Sequence, residues 1–110
     1  MTAPTRTDVI LASIEFERAR QTTLLEEGRI PEDVADVTVG DETKLSVLME
    51  EVGEVARELN EGPNFDRLKK ELIQVAAVAV AWAESIYELQ SFVAPVPDFV
   101  PVKDGVRGTE

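Results

Sequence analysis

The run Leu72–Ala83 reads LIQVAAVAVAWA and is apolar on every side except at Gln74. A helix with no polar face must be covered all round. With 110 residues, the chain has room for one ordinary domain and not for two independent cores. Three helices of that size barely cover such a segment. The expectation is therefore a homo-oligomer, dimer or tetramer, in which this alanine-rich helix packs against a partner subunit and its small residues let backbones approach closely. This third helix is expected over about Phe65 to Leu89, with Asn64 as its cap and Asp66 in the first turn, where the helix dipole favours an anion.

Upstream, Leu45, Leu48, Val52, Val55 and Leu59 recur at the spacing of one buried helix face. They predict a second helix over about Thr43 to Asn60, capped by Asp41 or Thr43 and ended by Asn60 and Gly62-Pro63. A first helix is expected over about Asp8 to Glu27, capped by Thr7 or Asp8 and stopped by Gly28. Its apolar residues Ile10, Leu11, Ile14, Ala19, Leu24 and Leu25 follow the helical period only roughly. Residues 28–42 read as a long loop with Pro31, Gly40 and the acids Glu32, Asp33, Asp36, Asp41 and Glu42; Val34, Val37 and Val39 are placed to tuck against the core. The fold class is all-α, with residues 1–92 forming a helical domain. Residues 93–110, with Pro95, Pro97 and Pro101, form an extended or partly disordered tail that lies across a neighbour and frays from Lys103 on.

Composition narrows the chemistry. Hydrophobic residues at 44% and charged residues at 30% belong to a folded, soluble chain. There is no cysteine and no histidine, which excludes disulfides, thiol nucleophiles, Cys/His zinc sites and imidazole catalysis. Carboxylates are left as the abundant catalytic or metal-binding groups. Acids number 22 and bases 11, for a net charge of -11. Such a chain has no electrostatic reason to bind a nucleic-acid duplex or an anionic membrane. No stretch of roughly 18 uncharged apolar residues is present to span a bilayer. The opening MTAPTRTDV lacks the apolar centre of a signal peptide, so a cytoplasmic location is expected.

The acids are not spread evenly. With Leu48 as origin on a helical wheel, Glu51, Glu58 and Glu54 fall at about -60°, -80° and -120°, an acidic stripe along the edge of the apolar face, while Glu50 falls at about 200° on the outer face. On the third helix, with Leu68 as origin, Glu71 and Gln74 fall at about -60° and -120° beside the most apolar surface in the chain. Antiparallel packing of the two helices through their leucine and valine faces brings Glu51, Glu54, Glu71 and Gln74 towards one another. Carboxylates gathered in a partly buried place repel, and a hard cation with oxygen ligands, Mg²⁺ or Mn²⁺, relieves the repulsion. Spacing alone does not separate this from a solvated acidic face.

The stretch KLSVLMEEVGEVARELNEG, followed by LKKELIQVAAVAVAW, resembles the MazG-like all-α nucleoside triphosphate pyrophosphohydrolases, whose pattern is E-E-x-x-E, a variable spacer and E-x-x-D. The first half is Glu50-Glu51-Val52-Gly53-Glu54, and sixteen residues separate it from Glu71. The likeness covers roughly residues 43–83 and extends to EFERARQ, Glu15 to Gln21, which looks like the family's ER-x-RQ signature. The resemblance implies a helical bundle completed by oligomerisation. It also implies cleavage of a nucleoside triphosphate between the α- and β-phosphates, giving a monophosphate and pyrophosphate. Glu51, Glu54 and Glu71 would then be the Mg²⁺ ligands, and Glu50 a supporting or base-like carboxylate. Lys44, on the acidic side of its helix, is the first candidate to hold phosphate oxygens, with Arg18, Arg20 and Lys70 behind it. Gln21 is a candidate to read a base edge; Trp82 fits a core position better than a stacking one.

One position departs from the pattern. The last family ligand is an aspartate, and here it is Gln74. An amide oxygen ligates Mg²⁺ or bonds a coordinated water but brings no charge. With Glu50, Glu51, Glu54 and Glu71 in place, a working enzyme is expected. The alternative is a catalytically weakened nucleotide-binding module or a helical interaction module.

Overall fold

The computed structural model describes residues 2–31, 33–62 and 64–90. Its elements are α1 (Arg6–Glu26), α2 (Asp41–Asn60) and α3 (Phe65–Gln90), with no strand among the described residues. The chain is all-α. The expectation for residues 93–110 lies outside the described residues.

Each helix boundary has a local cause. α1 starts earlier than its apolar pattern suggests, because Thr5-Arg6-Thr7-Asp8 closes a capping box. The Asp8 amide donates to Thr5 Oγ1 at 3.0 Å, and the Thr5 amide donates to Asp8 Oδ2 at 2.9 Å. The cap is thus Thr5, not Thr7 or Asp8. At the other end Gly28 takes φ +71°, and its amide bonds the Leu25 carbonyl while that of Arg29 bonds the Leu24 carbonyl. These paired bonds satisfy the last carbonyls of the helix, and the left-handed backbone they require suits glycine.

α2 begins at Asp41 after Gly40, which supplies no side-chain cap. Asp41 and Glu42 sit inside the first turn, where they favour the positive end of the dipole instead of capping it. The Asp41 carboxylate is used elsewhere: Oδ1 accepts from Trp82 Nε1 at 3.1 Å, tying the start of α2 to α3. Asn64 does cap α3, its Oδ1 accepting from the Arg67 amide at 3.1 Å. Glu58 clasps the α2–α3 turn by accepting from the Asn64 amide and from Arg67 Nε, both at 3.1 Å. These bonds, the Arg67 guanidinium foremost, hold the Glu58 carboxyl below its ordinary value.

α3 is the central helix. It packs against α2 on one side and α1 on the other, while α1 and α2 do not pack against each other. Among the described residues the buried apolar ones are Ala77, Val78 and Ala81, all on α3. Leu72 and Val80 of the same apolar run stay exposed, as do Leu45, Met49, Val52 and Leu59 on α2 and Val9, Ile10, Leu11 and Phe16 on α1. The described residues therefore leave part of their apolar surface uncovered. α3 also contains an 18-residue stretch long and apolar enough, by length and composition alone, to cross a membrane, with a mean hydropathy of 1.4 over that stretch. The sequence reading missed this by counting only uncharged stretches; Glu84 and Glu88 interrupt the run without making it polar.

Residues 27–40 connect α1 to α2, and this connection is anchored to the helices. Arg18 Nη1 reaches Asp33 Oδ1 at 3.3 Å, and its Nε reaches Glu84 at 3.0 Å, so one half-buried guanidinium ties the connection to α1 and α3. Val34, Val37 and Val39 are half-buried, as expected.

Candidate metal and phosphate site

Glu51 is the focus of the acidic residues. It is half-buried on α2. Burial first, then the negative charges of Glu71, Glu54, Glu17 and Glu50, push its carboxyl above the ordinary 4.5. All three helices contribute to this field: α1 through Glu17, α2 through Glu50 and Glu54, and α3 through Glu71. Glu54 and Glu71, which the wheel turned towards Glu51, act on it through their charge, and so does Glu50, which the wheel left on the outer face and the family resemblance added. Glu58 does not, because the α2–α3 turn holds it.

The sequence reading did not assign Glu17 to the site. It is buried, and it binds Arg20 through both carboxylate oxygens: Arg20 Nε to Oε1 at 2.8 Å and Nη2 to Oε2 at 2.7 Å. Gln21 Nε2 also donates to Oε2, at 3.3 Å. Donation of these hydrogen bonds to Glu17, together with the negative charges of Glu17 and Glu51, raises the Arg20 pKa. Arg20 is thus the cation that α1 lends to the acidic group. The spacing that announces Glu17 is an acid followed by arginine at i+3 and glutamine at i+4, within the EFERARQ segment.

Gln21 is committed on both sides of its amide. It donates to Glu17, and its Oε1 accepts from Arg18 Nη1 at 2.7 Å. It is therefore a brace between two charged side chains. Arg18 is likewise a structural anchor.

Lys44 does not stand with the acids. It is 1% exposed, and its Nζ donates to Ser85 Oγ at 2.7 Å, while Ser85 Oγ donates to the Trp82 carbonyl at 2.6 Å. Ser85 lies fourteen residues beyond Glu71 on α3, about 21 Å along the axis at 1.5 Å per residue. The wheel had the right side of α2 and the wrong level. Lys44 holds α2 to the far half of α3, and Trp82, half-buried beside it and bonded to Asp41, belongs to the same polar joint.

Gln74 and Lys70 lie on a groove of about 1140 Å³ between α1 and α3. Val9, Phe16, Leu72 and Ile73 give it an apolar floor, and Glu17 and Arg20 stand on its edge. The same Glu17–Arg20 pair therefore faces both the groove and the field of Glu51.

The donor set is all oxygen and strongly negative, which is the chemistry a hard divalent cation selects. Among the described residues, however, no three acids close around one point as ligands of an ion. Glu54, for example, turns to Arg57, with Oε2 3.2 Å from Nη1. Comparison with known proteins adds no relative: no protein-family model, no curated protein and no solved structure matches the chain.

Proposed function

We infer that the chain is a MazG-like, Mg²⁺-dependent nucleoside triphosphate pyrophosphohydrolase, acting as a homo-oligomer. The observation that carries this reading is Glu51, half-buried, with its carboxyl raised by burial and by acids from all three helices. A protein does not gather like charges in a partly desolvated place without cost, and a divalent cation removes that cost. Glu51, Glu54 and Glu71 would hold the metal, with Gln74 contributing an amide oxygen. Glu54 is required to leave Arg57, an exposed one-turn pair of little intrinsic strength.

When bound, Mg²⁺ neutralises the triphosphate and favours attack of water on it. The chain's own part is positional. Glu51 and Glu71 fix the acidic wall from facing helices. Glu50, outside the ligand set, would be the carboxylate that accepts the proton of the attacking water. Arg20 and Lys70 supply the positive charge for phosphate oxygens in place of Lys44, and the apolar groove offers a seat for the nucleoside.

The second reading, a catalytically weakened nucleotide-binding or helical interaction module, is favoured by the carboxylates not closing around one point and by Gln74 at the last ligand position. Substitution separates the two. Glu54→Gln is expected to abolish Mg²⁺-dependent pyrophosphate release while leaving helicity unchanged. Persistence of turnover in that variant would show the site to be wrong. Ligand-induced stabilisation without turnover in the native chain would favour the binding module.

A further inference from the structure

Leu45, Met49, Val52, Ala56 and Leu59 on α2 follow one another at steps of four, three, four and three residues. That is the a/d period of a helix–helix seam. Leu48 and Val55, on the flank towards α3, are half-buried within the chain. The seam is not: Leu45, Met49, Val52 and Leu59 are 49%, 56%, 40% and 53% exposed. The apolar face of α2 is thus wider than the other described residues cover, and its uncovered part has the pitch that fits another helix.

Two further features say which helix. On its open side the middle of the seam is bordered by Ser46 and Gly53, neither of them charged, while Glu42 and Asn60 border its two ends. The acids Glu50, Glu51, Glu54 and Glu58 lie at about 120° or more from the seam's centre. In a chain of net charge -11, this strip can meet its own copy without setting acid against acid along its middle. A basic partner would instead be matched by an acidic border. The second feature is Gly53. A glycine inside a helix costs roughly 0.5–1 kcal/mol relative to alanine. Among the described residues nothing asks for it, since a Cβ built there meets none of their atoms within 4 Å. Beside a seam, a missing side chain lets a neighbouring backbone come close.

We propose that the α2 seam centred on Val52 is the contact between two copies of this chain, related by a two-fold axis that passes near Val52 and Gly53. This deepens the homo-oligomer part of the function proposed above and rests on it. It also moves the contact from the alanine-rich run of α3, which is partly covered by its own chain, to α2. An isologous contact brings the residue at its centre against its own copy. The acids Glu50, Glu51 and Glu54 stay on the opposite side of α2, away from the contact.

The chain has no cysteine, so one introduced thiol reports its own neighbourhood. Under mild oxidation Val52→Cys is expected to give a disulfide-linked dimer, because facing seam residues come within the roughly 7 Å between Cα atoms that a disulfide allows. Arg57→Cys, turned away from the seam, is expected to give none. Independently, Met49→Glu is expected to reduce the solution mass to that of one chain, with far-ultraviolet circular dichroism reporting whether the helices persist. A native chain of single-chain mass with no Val52→Cys cross-link would overturn both this contact and the oligomer, leaving the seam to residues 93–110 or to another protein. A native oligomer that neither cross-links at residue 52 nor dissociates with Met49→Glu would overturn the contact alone.

Discussion

Glu17 and Arg20 are joined through two hydrogen bonds, at 2.8 and 2.7 Å, across one turn of α1, and this pair is what α1 presents to Glu51 on α2. It makes α1 part of the candidate site even though α1 and α2 do not pack together. Arg20→Ala would leave the Glu17 carboxylate buried with only the Gln21 amide. The expected cost is about 1–2 kcal/mol, below that of a fully buried pair because Arg20 itself is half exposed. Urea unfolding of the variant checks it. Mg²⁺ is expected to restore part of the loss, since a bound cation takes over the role of the guanidinium.

The pH dependence follows from two carboxyls shifted in opposite directions. Glu51 is raised in the folded chain, so between its ordinary 4.5 and its folded value the native state holds the proton more tightly than the unfolded state. Its contribution is therefore favourable at low pH and is lost as pH rises through the folded value. Glu58 is lowered from 4.5, so its contribution is present above that value and is lost as pH falls through the folded one. Without metal, Glu51→Gln is expected to raise the melting temperature at pH 7 and to leave it little changed at pH 4. Glu58→Gln is expected to lower it at pH 7 and to have less effect at acid pH. Thermal melts at the two pH values read both.

The buried joint at the other end of α3 gives a separate test. Ser85→Ala removes the acceptor of Lys44 Nζ and is expected to cost about 1–3 kcal/mol. Lys44→Met keeps the length of the side chain and removes the donor, so the Lys44→Met/Ser85→Ala double variant is expected to be more stable than Ser85→Ala alone. Pyrophosphate release is expected to survive Lys44→Met, because Lys44 is far along α3 from Glu71. Denaturation and assay of the variants decide it.

At residue 74 the change to aspartate restores the charge that the family pattern carries. Gln74→Asp is expected to lower the Mg²⁺ concentration for half-maximal effect several-fold, because one more carboxylate joins the ligands. A metal titration followed by thermal shift measures it. An unchanged titration would place residue 74 outside the metal's reach.

How much of this was legible in the sequence depends on what each helix displays. The extents of α2 and α3 were readable from apolar period, though the cap of α2 was not, and the wheel turned Glu51, Glu54 and Glu71 towards one another while leaving Glu50 on the outer face. α1 hid its inner face because its apolar residues are poorly periodic; Glu17 lies on that face and was passed over as surface. Lys44 shows a different limit. A wheel gives direction around an axis and says nothing of which level of the next helix a side chain meets, and the partner here was Ser85. Glu58 shared the acidic stripe by angle but stood one turn too near the helix end and was taken by the turn. Leu45, Val52 and Leu59 read as buried because period reports a face that wants cover, not whether the cover comes from the same chain.

The most direct test of the central claim is the reaction itself. Canonical, deoxy and damaged nucleoside triphosphates are to be incubated with the native chain and Mg²⁺ or Mn²⁺, with pyrophosphate and inorganic phosphate measured side by side. Metal-dependent release of one pyrophosphate per monophosphate from at least one of them, lost in Glu54→Gln, is the expected result. No pyrophosphate from any triphosphate with either metal, in a chain that remains helical, would contradict it.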